Sequence, residues 1–269
     1  MSTVAVALLL VASMLAVGTA LTVADFRALG RSRSVLLVSV AVNVVLVPAL
    51  TVMLGRLAGL GQDAMLGVVL AAAAPGGGTG ALLTLYARGD LAVSAALKGI
   101  HAPLGLVSVP VWAAAGHDVI PADAGGLALV AGGLLGQLVP LGAGMLLLRR
   151  RPGAARRVHG IARRCADLLL VGLVAYFVVT GAGRLPEAGW AAVGVIAVVV
   201  AGCLASSQVP WLGPGPTRRA VAMTTAVRNL SLALFVASTA STVVVLALLA
   251  YGLSVPVAVL LARPAPPSA

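Results

Sequence analysis

Charge is scarce in this 269-residue chain: Asp, Glu, Lys and Arg together make up 9% of it, against 61% hydrophobic residues and a mean hydropathy of +1.11. A water-soluble domain of this length cannot hide so much apolar surface, so the bilayer is its solvent and the chain reads as an all-α polytopic membrane protein. Aromatic residues are scarcer still, at 3%, which argues against the aromatic cage that a retinal-type chromophore would need around a buried lysine. The two cysteines, Cys165 and Cys203, have no partner spacing and support neither a disulfide framework nor a metal centre. HExxH and paired aspartates are missing, and Ser94 and His101, seven residues apart on one helix, are ~10 Å from each other. An intramembrane enzyme is therefore not expected, and neither is a cofactor.

Nine apolar runs of about 20 residues are present, near 3–22, 34–54, 63–87, 90–114, 124–148, 165–182, 188–206, 218–238 and 240–262. The first lacks a basic leader and is read as a retained helix rather than a cleaved signal peptide. Fourteen of the 18 basic residues fall in loops on one side of these runs, among them Arg27, Arg88, Arg149 to Arg151, Arg218 and Arg263, and only Arg56 and Arg184 on the other. Cytoplasmic loops retain such an excess, so the expected topology is nine spans of a cell membrane with the N-terminus outside and the C-terminus inside. Most of the +11 net charge is this topological signal. The run RRRPGAARRVHGIARR at 149–164 has no interleaved aromatics and lies between two spans, so it is expected to be a cytoplasmic loop facing anionic headgroups and not a nucleic-acid patch. It separates a first part, 1–148, from a second, 165–262, and the proline-rich 263–269 is an expected disordered tail. Asp167 is expected to pair with a neighbouring arginine.

Two features interrupt the apolar runs. APGGGTG at 74–80 puts Pro75, Gly76, Gly77, Gly78, Thr79 and Gly80 in mid-span, where proline removes a donor and the glycines weaken the helix. Backbone freed at membrane depth survives only inside protein or along a wet cavity, and such discontinuous helices form the midplane sites of secondary transporters. Charged side chains are also present at depth: Lys98 in the fourth run and Arg228 in the eighth. Each costs about 2.5–3.5 kcal/mol on insertion scales, so such residues mark a transport path or binding site. Ser94, Lys98 and His101 share one helical face, and Thr224, Arg228 and Ser231 repeat the spacing. Pro103 frees the Gly99 carbonyl one turn back.

PGGGTGALLTLYARGD (75–90) resembles the proline-glycine-glycine-threonine stretch and Ala-Arg-Gly-Asp turn of the bile acid:sodium symporter family. MLAVGTALTVADF (14–26), the segment from Asn43 to Pro48, Pro140 with Gly144, and RNLSLA (228–233) are similar to further landmarks of that family in the same order. The resemblance implies two inverted repeats, a panel domain and a core domain, with two broken helices crossing in the core beside two sodium sites. It also implies an organic-anion substrate. Relative to ten-span members the chain is expected to lack one N-terminal helix.

Carried over on the spacing from Pro75 to Asp90, the family's serine and asparagine ligands fall on Gly80 and Ala81. Its next serine is kept as Ser94, and the threonine one turn on is Lys98. In the eighth run its glutamate falls on Thr224 and its glutamine on Arg228, while the following asparagine is Asn229. The early amide near the second site is Asn43. Sodium wants five or six hard oxygens, and a fixed cation 4 Å away repels it by about 4 kcal/mol at an effective dielectric of 20. The expectation is that Lys98, held by Ser94, Thr79 and freed carbonyls, stands in for one ion and Arg228 for the other, giving a sodium-independent carrier of a small or bile-acid-like organic anion. Proton coupling through Lys98 or His101, residual sodium coupling, and a non-transporting sensor or assembly role are the alternatives. A cation/proton antiporter needs a carboxylate at the crossing, where none is present. An arsenite carrier is expected to place a cysteine near a broken helix, and neither Cys165 nor Cys203 is expected there.

Overall fold

The computed structural model describes residues 3–31, 33–77, 80–116 and 124–261. Among them every named element is helical. In order they are α1 (Thr3–Gly18), α2 (Val23–Arg31), α3 (Arg33–Ala41), a π-helical turn (Val42–Leu46), α4 (Val47–Leu57), α5 (Gln62–Ala73), α6 (Gly80–Tyr86) and α7 (Leu91–Gly116). Then follow α8 (Ala124–Arg150), α9 (Pro152–Gly181), α10 (Leu185–Ala205), α11 (Gly215–Ala226), α12 (Leu230–Val236) and α13 (Thr242–Leu261). The chain is an all-α polytopic membrane protein.

Against the nine expected spans, six helices among the described residues are long and apolar enough to cross a bilayer, and Thr3–Gly18, Gln62–Ala73 and Leu230–Thr239 are shorter apolar segments. Two of the short ones are halves of interrupted runs. The run at 63–87 stops at Ala73 and resumes at Gly80, and the run at 218–238 stops at Ala226 and resumes at Leu230. Three details depart from the sequence reading. The 149–164 segment is helix rather than loop, because α8 continues through Arg150 and α9 starts at Pro152, a residue suited to a first turn. α2 is an additional short helix whose Phe26 packs against Gly99 of α7. α7, in keeping with the single run at 90–114, continues through Pro103 and Pro110. The face drawn through Thr224, Arg228 and Ser231 is not continuous, since the helix opens between the first and the last of them. Arg163 Nε does pair with Asp167, at 3.7 Å. Gly78, Thr79, Asp118, Asp123 and the 263–269 tail lie outside the described residues.

α5 is buried on all sides from Ala64 to Ala73, as an apolar helix without a polar stripe must be. α13, α7, α4 and α10 surround it, and α11 fills the space between α7 and α10. α1, α8 and α9 form a second group that packs mostly within itself and meets the first along α1–α12, α7–α8 and α9–α13. The outer faces of α9 and α10 are bare hydrocarbon, with Val179 82% and Trp190 89% exposed, surface that only lipid covers.

Close approach of α5 and α13 depends on Gly67, where a Cβ would run into the Val244 carbonyl and lie 2.8 Å from Ala247 Cβ. Gly142 is the contrasting site, since a Cβ there would meet nothing within 4 Å. Gly67→Ala is expected to cost about 1–3 kcal/mol of overpacking and to lower the melting temperature of the detergent-purified protein, with Gly142→Ala unchanged. Equal melting of both variants would contradict this packing.

Candidate functional site where the interrupted helices cross

The two interruptions meet. Pro75 and Arg228 form an antiparallel bridge, and the Asn229 amide donates to the Ala74 carbonyl at 2.7 Å. Each break thus supplies partners for the other's freed backbone groups, which hydrocarbon could not do. The geometry demands two glycines. Gly76 has φ +89°, a left-handed conformation, and a Cβ there would lie 2.9 Å from the Ala102 amide nitrogen of α7. A Cβ on Gly77 would collide with the Arg228 carbonyl. The second arm restarts as α12 with Asn229 at its N-cap, whose Oδ1 accepts from the Leu232 amide at 3.1 Å and the Ser231 hydroxyl at 2.7 Å. Ser231 Oγ lies 2.9 Å from Ser13 Oγ and so ties the crossing to α1.

Both cations are buried at this place: Lys98 is 5% exposed and Arg228 3%. Arg228 Nη1 donates to Asn43 Oδ1 at 3.1 Å, and Nη2 lies 3.8 Å from Cys203 Sγ. Asn43 in turn donates through Nδ2 to the Ser39 carbonyl (2.8 Å) and to Thr225 Oγ1 (3.0 Å). It sits in the π-helical turn, a distortion frequent at functional sites, and one freed carbonyl of that turn, Val44, accepts from Trp112 Nε1 at 2.7 Å. The buried Tyr251 hydroxyl is beside the guanidinium and the thiol.

Lys98 projects toward the first break. Its Cε is 3.1 Å from where a Cβ of Gly80 would be, so the bare glycine at the start of α6 makes room for the lysine stem. One turn back, Ser94 Oγ lies 3.0 Å from Thr84 Oγ1 and 3.4 Å from Thr224 Oγ1, while the two threonines reach the Gly80 and Ala220 carbonyls, both at 2.6 Å. His101, fully buried, has Nε2 3.3 Å from Ser39 Oγ and Nδ1 without a partner among the described residues. None of the five described acidic residues, Asp25, Asp63, Asp90, Asp167 and Glu187, is buried. Among the described residues no cluster of three His, Cys, Asp or Glu could hold a metal ion. The site is thus a buried, positively charged crossing lined by hydroxyls and carbonyls.

A model described as the Sodium Bile acid symporter family matches residues 7–182, about two thirds of the chain. The chain belongs to this family. It is a transporter of that type and not an enzyme. No curated protein matches it. The match contains the first interruption and Lys98 and stops before the second, so the second arm enters through the geometry of the crossing.

In this symporter-family chain the structure brings Asn43, Pro75, Gly76, Gly77, Gly80, Ser94, Lys98, His101, Thr224, Arg228 and Asn229 to one place. Sequence reasoning missed Thr84 and Thr225, which are ordinary helical threonines until α6 and α11 are packed. It also missed Tyr251, hidden in a featureless apolar run. The expectation that no cysteine lies near a broken helix is corrected: α10 crosses behind the second interruption and puts Cys203 against Arg228. The thiol is 4% exposed and faces the guanidinium, away from any open surface, which does not suit a metalloid ligand.

Hydrogen bonds to a charged partner are worth about 1.5–3 kcal/mol, and a double-mutant cycle isolates them. A cycle of Asn43→Leu and Arg228→Leu, read by unfolding in detergent, is expected to give a coupling energy in that range. Additive effects would show that the amide does not hold the guanidinium.

Proposed function

We propose that this transporter carries a small organic anion without sodium, by alternating access, with Lys98 and Arg228 standing permanently in the places of the two coupling ions. The observation that carries the reading is the pairing of Lys98 with Gly80. One position lost the side-chain oxygen that the family resemblance assigns to an ion ligand, and the other gained a cation whose stem fills the space. The second ion place follows the same logic, with the Arg228 guanidinium on Asn43 Oδ1. A sodium ion entering beside either group meets repulsion of about 4 kcal/mol at 4 Å and an effective dielectric of 20, with no buried carboxylate among the described residues to offset it.

Fixed cations also keep a positive potential at the crossing throughout the cycle, which suits an anionic cargo and disfavours a cationic one. The α1, α8 and α9 group takes the part of the panel, and the bundle around α5 and α13 the part of the core. Movement of one against the other is the alternating-access step. The preferred orientation puts the arginine-rich ends of α8 and α9 in the cytoplasm.

Purified protein in liposomes, assayed with a panel of radiolabelled carboxylates and sulfated organic anions, tests this. Uptake of at least one anion at the same rate in sodium and in choline is expected, with the rate lost in Lys98→Thr. Uptake that requires sodium would overturn the reading, and absence of any anion uptake would favour a non-transporting role.

A further inference from the structure

A cavity of about 260 Å³ opens at the end of the bundle opposite the arginine-rich ends of α8 and α9. One wall is the last turns of α9, with Tyr176, Phe177 and Thr180, and Arg184 of the 3-10 turn that follows. The other wall includes Ser238, from the turn after α12, and Thr242, the first residue of α13. It therefore lies between the two helix groups, at a seam that must change if they move.

Its chemistry is that of an anion site with an apolar side. The guanidinium of Arg184 has no carboxylate partner among the described residues. Ser238 contributes to the wall, but its Oγ is shielded from solvent on every side, the cavity included, and has no partner among the described residues. Thr180 is already committed, donating to the Tyr176 carbonyl at 2.7 Å. The carboxylate of Asp63, on the neighbouring α5, is engaged by Ser241 Oγ at 2.6 Å. Glu187, three residues beyond Arg184, is exposed and makes no ion pair with it. Tyr176 and Phe177 meet edge to face with centroids 5.4 Å apart and present a ring-binding wall. The volume falls below the roughly 300–1,000 Å³ of sites for drug-sized molecules, enough for a single-ring acid but not for a four-ring steroid.

We propose that this cavity is a binding site for the transported anion at that end of the pathway: Arg184 holds the carboxylate, and the Tyr176–Phe177 wall takes the apolar part. The substrate class is thereby narrowed to small, ring-bearing monocarboxylates. This rests on the carrier reading above but uses none of the residues at the crossing.

Equilibrium dialysis of the detergent-purified full chain against radiolabelled benzoate tests the site, with cholate as the oversized competitor. Arg184→Gln is expected to weaken benzoate binding about tenfold or more and Arg184→Lys to restore part of it. Cholate should compete poorly. Because Arg184 is exposed, the melting temperature of Arg184→Gln should match the native protein and exclude a folding defect. Native benzoate affinity in Arg184→Gln, no benzoate binding by the native chain, or competition by cholate equal to that of benzoate would each overturn the proposal. Sodium-dependent uptake combined with an Arg184→Gln binding defect would leave this site standing and remove the reading of the crossing. Sodium-free uptake with no such defect would do the reverse.

Discussion

Everything at the centre of this protein follows from the need to satisfy backbone groups at membrane depth. A helix that opens in hydrocarbon strands its amides and carbonyls, each at a cost of several kcal/mol. Here two helices open at the same level and serve each other, through the Pro75–Arg228 bridge and the Asn229 amide on the Ala74 carbonyl. That arrangement forces the remaining features. Gly77 must be bare for the strands to approach, Gly76 must take a left-handed turn over α7, and α5 must be enclosed by apolar neighbours so that the first arm is held in place. The crossing also concentrates helix ends and carbonyls at one point, an environment built for cations. In this chain two of its own side chains supply them.

The proposed exchange of a dissolved ion for a tethered one has consequences beyond the loss of a driving force. An ion that binds and leaves can couple the conformational change to a gradient. A lysine on α7 and an arginine between α11 and α12 stay in every state, so they stabilise the crossing and its positive potential permanently. The π-helical turn that carries Asn43 presents its amide to the Arg228 guanidinium. On the proposed reading no ion is released, and the gradient of the carried anion itself sets the direction of transport.

Much of the fold was legible in the chain, and what escaped did so for identifiable reasons. APGGGTG announces the first interruption because proline and glycine act locally. The second interruption, at 227–229, has neither residue, and only Arg228 and Asn229 in an apolar run hint at it. The helical character of 149–164 was obscured by its charge: seven arginines read as loop, yet two of them end α8 and four project from α9, which the alanines between them sustain. Lys98, Arg228 and Ser94 could be singled out because polar groups at depth are conspicuous, and Asn43 through the family resemblance. Cys203, Tyr251, Thr84 and Thr225 could not, since their roles exist only once α10, α13, α6 and α11 are packed around the crossing. Arg184 reads from sequence as one of two exceptions to a topological rule, and its place in a cavity wall depends on where α9 ends against α13.

The most direct measurement is binding of radioactive sodium to the purified native chain in a choline-based buffer, with Lys98→Thr beside it. If tethered cations occupy the ion places, the native chain shows no saturable sodium binding. Saturable binding by the native chain that is unaffected by the lysine substitution would contradict the account.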